Sequence, residues 1–269
     1  MPLKLMYITN SEDVAHIAEE AGVDRIFVDM EYIGKTDRQG GMDTVQSRHT
    51  ADDVRRLAQC LNKSELFVRV NPIHEKTDKY SSSKEEIDEV IEAGADLLML
   101  PYFKTAEEVQ TFVKYVDGRA KTVLLVETPE AAAIAENLVK IPGIDEMFIG
   151  LNDLSLGYGK NFMFELLLDG TVEELCLKFR KGGIPYGFGG IASLGKGMLP
   201  SEYVIKEHYR LGSTCAILSR SFCRTDQVTD LKEIQKIFET ELPKIGNLKK
   251  NAEYIVNIFG KTDNRLRQK

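Results

Sequence analysis

Eight short apolar runs, separated by stretches of helical pattern, constrain this chain more than any other feature. They are LKLMYI (3–8), RIFVD (25–29), LFVRV (66–70), DLLML (96–100), TVLLVE (122–127), EMFIG (146–150), PYGFGG (185–190) and CAILS (215–219). Helical segments lie between them near 11–21, 84–93, 105–116, 130–139, 171–182 and 200–211. Nearly continuous apolar runs alternating with helices are the pattern of a parallel sheet covered on both faces. Eight such units in 269 residues match the number and size of a (β/α)8 TIM barrel. An open doubly wound sheet is the second candidate. No GxGxxG follows the first run, which counts against its dinucleotide-binding version.

On this reading residues 1–269 form one barrel domain. The tail after 229 is amphipathic, and part of it closes the barrel. Residues 249–269 are a C-terminal helical extension. Its apolar stretch Ala252–Phe259 has no obvious partner within one barrel, so the chain is expected to be a homo-oligomer. No internal repeat or low-complexity segment stands out. Two loops are long, 30–50 and 71–83, and both follow strands on the presumed active face. Thr50 with Asp52 and Asp53 marks a helix start, so the first loop ends there.

Composition excludes several classes. With 35 basic and 42 acidic residues and a formal charge of −7, the chain lacks the basic block that nucleic-acid binding needs. The cysteines Cys60, Cys176, Cys215 and Cys223 show no CxxC or zinc spacing and read as reduced thiols. No apolar run spans a bilayer, and MPLKLMYITN lacks signal-peptide architecture, so the expected location is the cytoplasm.

The stretch LVETPEAAAIAENLVKIPGIDEMFIGLNDLSLGYG (124–158) carries the chemistry. Its two apolar runs are strands around a helix. Glu127 and Asp153 emerge at the C-terminal ends of those neighbouring parallel strands, the edge where barrels place their active sites. Two converging carboxylates there suit a hard divalent cation such as Mg²⁺ or Mn²⁺, with Co²⁺ also possible. The glycine-rich run YGFGGIASLGKGMLPSE (186–202) lies where barrels often bind phosphate or carboxylate.

In order and placement, RIFVDMEY, FVRVNP, EAGADLLMLP, LVETPEA and IDEMFIGLNDLSLGYG resemble the HpcH/HpaI aldolase/citrate lyase family. The resemblance implies a TIM barrel, usually oligomeric, that makes or breaks C–C bonds through an enolate of pyruvate or acyl-CoA. It implies metal carboxylates at Glu127 and Asp153. Arg69 would grip the pyruvoyl oxygen. The turn Gly150, Leu151 and Asn152 would hold the substrate carboxylate with its backbone N–H groups. Ala95 and Asp96 would be structural, at the opposite end of the barrel. Asp29 and Glu31 would belong to the site network.

One position departs from the pattern. Tyr32 stands where the aldolase branch has its histidine base, and a phenol is a poor base at neutral pH. Three explanations compete: His49 from the long loop is the first substitute, His74 from the next loop the second, and the third is that no histidine is needed, as the citrate-lyase branch implies, and a metal-bound water or carboxylate moves the proton. Lys35, Arg38 and Gln39 would put polar and cationic groups beside the mouth, for the distal part of a substrate. The expectation is therefore a metal-dependent class II pyruvate aldolase acting on a 2-oxo acid, or on pyruvate and an aldehyde. A citrate-lyase-like or malyl-CoA-lyase-like enzyme is the alternative. A non-catalytic ligand-binding barrel is the third reading, against which the retained Arg69, Glu127 and Asp153 argue.

Overall fold

The computed structural model describes residues 3–35, 47–197 and 199–247. Eight parallel strands close into a barrel in sequence order, and the last pairs with the first. The strands are β1 (Lys4–Ile8), β2 (Arg25–Asp29), β3 (Glu65–Arg69), β4 (Leu97–Leu100), β5 (Lys121–Val126), β6 (Glu146–Ile149), β7 (Tyr186–Ile191) and β8 (Cys215–Leu218). The helices are α1 (Glu12–Glu20), α2 (Ala51–Cys60), α3 (Ser83–Glu92), α4 (Ala106–Val116), α5 (Pro129–Ala133), α6 (Ala135–Leu138), α7 (Leu151–Gly157), α8 (Glu165–Leu168), α9 (Thr171–Lys181), α10 (Ser201–Leu211) and α11 (Leu231–Asn247). The TIM barrel expected from the alternation is present, and its strands fall within a residue or so of the eight apolar runs.

Local chemistry explains the boundaries. α2, α3 and α4 each begin with a reciprocal capping box: Thr50 with Asp53, Ser82 with Glu85, and Thr105 with Glu108. The helix expected near 130–139 is two short ones, α5 and α6, which meet at Ile134. α11 packs on α1 and brings Phe238 edge-on to Tyr7 of β1, with ring centroids 4.9 Å apart. The 249–269 extension, and with it the proposed oligomer contact, lies outside the described residues. Among those described, no helix is long and apolar enough to cross a membrane.

A short device recurs at alternate corners on the N-terminal side. In Gly22-Val23-Asp24, Gly94-Ala95-Asp96 and Gly143-Ile144-Asp145 the glycine adopts φ of +97°, +108° and +86°. The aspartate then accepts the backbone N–H of Leu5, Leu66 or Thr122 on the preceding strand, at 2.8, 2.7 and 2.7 Å. Only glycine enters that left-handed region without strain. The carboxylate ties each strand pair together at its start. Ala95 and Asp96 thus sit opposite the active face, as expected. Three residues recurring at wide spacing give no periodic signal, so this repeat does not show in the sequence.

The barrel interior is stacked in levels, because strand side chains alternate. On β2 the inward residues are Arg25, Phe27 and Asp29. In register on β3 they are Glu65, Phe67 and Arg69. At the bottom, Arg25 forks onto Glu146 at 2.8 and 2.9 Å and reaches Glu65 at 3.0 Å, while the Cys215 thiol donates to Glu146 at 2.9 Å. An apolar plug of Met6, Phe27, Phe67, Leu97, Met99, Val123, Leu125 and Phe148 lies above. Asp29 and Arg69 stand on top of it. The sequence therefore builds a solid core and presents charge only at its two ends.

Outside the barrel, His208 of α10 is fully buried, stacked on Phe188 with centroids 3.8 Å apart, and its Nδ1 meets Ser213 Oγ at 2.8 Å. Burial pushes this imidazole down to about 3, so it stays neutral in the folded chain. In the unfolded chain it takes up a proton near its ordinary value of about 6.5. Between those values the unfolded state binds more protons, so stability falls as pH falls, by about 2 kcal/mol at pH 5. Urea unfolding from pH 7 to 5 checks this. His208→Phe should remove that part of the pH slope, whatever the carboxylates add.

Candidate active site

A cavity of about 460 Å³ opens at the C-terminal ends of the strands. Asp29, Lys35, His49, Arg69, Glu127, Gly150, Leu151, Asn152 and Asp153 all line it. Residues far apart in sequence are thus brought together by the barrel. Tyr32 and His74 are not among the lining residues.

Arg69, at the end of β3, forks onto Asp29 at the end of β2, with Nε and one terminal nitrogen each 2.8 Å from a carboxylate oxygen. Its other terminal nitrogen is 3.5 Å from Glu31. The guanidinium lies over the Phe27 ring, 5.7 Å from its centroid. Lys35 Nζ donates to the same Asp29 at 2.7 Å and is 3.5 Å from Glu31. Burial opposes the charge on Asp29, but the Arg69 and Lys35 cations outweigh it and hold the carboxyl well below its ordinary range. Burial likewise opposes the Arg69 charge, and Asp29, Glu31 and Glu127 more than compensate. Lys35 is therefore a buried member of this network at the cavity floor, rather than a group beside the mouth. Arg38 and Gln39 lie outside the described residues.

Glu127 follows β5 directly. One carboxylate oxygen accepts the N–H of Tyr102 at 3.0 Å. Burial, then repulsion from Glu31, raises its pKa well above the ordinary value; Asp153 adds to the rise and Arg69 opposes it. Asp153 lies in the first turn of α7, so the residues read as a simple turn are a helix start. Gly150 precedes it, and its N–H is already used, donating to Val126 O at 3.0 Å. That corrects its expected part in holding a carboxylate through its own N–H. Its role is space: a Cβ there would come within 2.7 Å of Glu127 Cβ and 2.8 Å of Glu127 Oε2. Leu151 and Asn152 occupy the first two positions of α7, where N–H groups have no acceptor within the helix.

The candidate bases separate clearly. His49 is buried, and its Nδ1 accepts the backbone N–H of Asp29 at 3.1 Å. Burial lowers its pKa, against the pull of Asp29 and Asp53. A neutral ring with Nδ1 accepting carries its proton on Nε2. It is thus set as a hydrogen-bond donor, the opposite of the base expected from sequence. Tyr32 points its chemistry elsewhere: its phenol is pushed up to about 12 by burial and by Asp29, Asp53 and Glu86. Its backbone N–H is held by Asn71 Oδ1 at 2.8 Å. His74 spends its ring on its own loop, Nδ1 at 2.7 Å from Pro72 O and Nε2 at 2.8 Å from Ser81 O.

Fold and site together define a TIM barrel with a charged cavity at its C-terminal mouth. The sequence profile of the HpcH/HpaI aldolase/citrate lyase family matches residues 4–166, more than half of the chain, and the chain belongs to that family. Aldolase- and lyase-type chemistry is the class this membership supports. Among solved structures, an HpcH/HpaI aldolase/citrate lyase family protein from Burkholderia cenocepacia J2315 is 17% identical, with TM-score 0.64, covering 87% of this chain and 95% of that one. The HpcH/HpaI aldolase from Desulfitobacterium hafniense DCB-2 is 14% identical, with TM-score 0.62, over 87% and 93%. The citrate synthase SbnG is 14% identical, with TM-score 0.60, over 87% and 94%. At such identities the likeness is one of fold. No curated protein matches the sequence.

Proposed function

We propose that this chain is a divalent-metal-dependent carbon–carbon lyase of the pyruvate-aldolase type. One observation carries the reading: Glu127 is an enclosed carboxylate at the cavity wall, with Glu31 and Asp153 both opposing its ionisation. A site of that donor set suits a hard dication, whose two charges would relieve the repulsion. Glu127 and Asp153 would hold it. Bound there, a dication supplies Lewis acidity towards the oxygens of a 2-oxo acid.

The chain's own groups supply the rest. Arg69 keeps a permanent charge beside the oxygen that becomes an enolate, and Asp29 fixes the orientation of its fork. The first-turn N–H groups of Leu151 and Asn152, two residues that line the cavity, would hold the C1 carboxylate. His49 donates through Nε2 to an oxygen of the carbonyl acceptor. With Tyr32 outside the cavity, the proton of the C4 hydroxyl passes to solvent water at the open mouth as the C3–C4 bond breaks. The Lys35 ammonium keeps Asp29 and Glu31 neutralised when the substrate anion enters.

Mn²⁺ binding followed by electron paramagnetic resonance tests the donor set without any assumption about substrate. One tight site per chain is expected. Asp153→Asn and Glu127→Gln should each weaken it by at least tenfold. Equal Mn²⁺ affinity in wild type and both variants would remove the reading.

A further inference from the structure

Backbone strain singles out one residue beside the site. Among the described residues two non-glycines have positive φ, Asp117 at +51° and Tyr102 at +47°. Asp117 is accounted for by its position: it closes α4 as a left-handed cap, and aspartate tolerates that region. Tyr102 caps no helix. It lies between β4 and α4, and a bulky residue with this φ is an outlier that its surroundings must enforce. They do so from both sides. Leu100 and Phe103 are 0% and 1% exposed. Thr128 Oγ1 donates to Phe103 O at 2.9 Å, tying the loop to the start of α5. Further on, the Lys104 and Thr105 N–H groups both donate to Glu108 Oε2, at 2.7 and 2.9 Å.

What the strained conformation delivers to the site is a backbone hydrogen bond. Tyr102 N–H donates to Glu127 Oε1 at 3.0 Å. Tyr102 itself is not among the residues that line the cavity, and its ring lies under Lys104, with Nζ 5.5 Å from the centroid. The other carboxylate oxygen, Glu127 Oε2, lies on the Gly150 side, where a Cβ would come within 2.8 Å of it. A left-handed tyrosine on one flank and a glycine on the other thus bracket the Glu127 carboxylate. A carboxylate ligand already held by a hydrogen bond needs no reordering when a cation arrives.

We propose that Tyr102 is a positioning residue: its left-handed backbone, not its side chain, aims an N–H at Glu127 Oε1 and so presents Oε2 to a divalent cation. The proposal rests on the metal-dependent reading above. Strain in the loop after β4 is then the means by which β4 orients a ligand carried at the end of β5.

The test compares wild type with Tyr102→Gly, Tyr102→Ala and Tyr102→Pro in two measurements: Mn²⁺ affinity by electron paramagnetic resonance, and urea unfolding without metal. Glycine and alanine keep the N–H and can hold a positive φ, so both should bind Mn²⁺ about as wild type does. Proline has no N–H and a fixed negative φ, and should weaken Mn²⁺ by about 10–100-fold, the range for losing a hydrogen bond to a metal ligand. Without metal, Tyr102→Gly should unfold at a urea concentration at least as high as Tyr102→Ala, because alanine is strained at positive φ and glycine is not. Wild-type Mn²⁺ affinity in a folded Tyr102→Pro overturns the positioning role alone. So does a tenfold loss in Tyr102→Gly or Tyr102→Ala, or a Tyr102→Gly clearly less stable than Tyr102→Ala; these two arms decide even where the proline variant fails to fold. Absence of Mn²⁺ binding in wild type overturns the metal reading and the positioning role with it.

Discussion

Arg69→Lys is expected to slow pyruvate enolisation by about 10²–10³-fold while leaving the barrel folded. Lysine keeps the charge but loses the planar fork. The two 2.8 Å bonds to Asp29 cannot both be remade, and the ammonium sits lower against the Phe27 ring. The developing enolate would then face a cation that is neither fixed nor close. Pyruvate binding should weaken less than turnover falls, because Leu151, Asn152 and the carboxylate pair remain. Deuterium exchange into the pyruvate methyl group, followed by proton NMR with saturation in pyruvate, gives both quantities. Circular dichroism of the variant shows whether the fold is intact.

Arg25→Met should produce the largest loss of stability, about 3–5 kcal/mol, at the opposite end of the barrel. Arg25 is 1% exposed and satisfies both oxygens of Glu146 as well as one of Glu65. Without it Glu146 stays buried with only the Cys215 thiol as a donor. Glu65 keeps its contact with Lys121 and suffers less. Most of the cost comes from the stranded carboxylate, so Arg25→Met combined with Glu146→Gln should recover a large part of it. Urea unfolding of the two single variants and the double variant measures this. Additive losses would show that the pair does not act as a unit.

The barrel was legible because its signal is local and repeated. Strand β2 falls on RIFVD without adjustment, and Thr50 with Asp53 is a cap that sequence alone reveals. Arg69 and Glu127 could be singled out because they stand at or next to strand ends, and Asp153 because it follows β6 by four residues. Period-two counting along β2, β3 and β5 would also have pointed Asp29, Arg69 and Glu127 inward, two residues beyond Phe27, Phe67 and Leu125.

What failed depended on contacts across space. His49 reads as a base until the Asp29 N–H is seen to occupy its Nδ1, twenty residues away in sequence. Lys35 reads as a surface cation until Asp29 and Glu31 close around it. α7 was overlooked because its seven residues begin at a glycine with no capping side chain.

On the proposed function, the cavity enolises pyruvate with the help of a dication held by Glu127 and Asp153. Deuterium exchange at the pyruvate methyl group tests it most directly, since no aldehyde need be known. The full chain with Mg²⁺ or Mn²⁺ in deuterium oxide should lose the methyl signal. The same sample stripped with a chelator should not, and returning the metal should restore exchange. Exchange that continues undiminished in the fully stripped protein, or that persists in Glu127→Gln with metal present, would contradict the account.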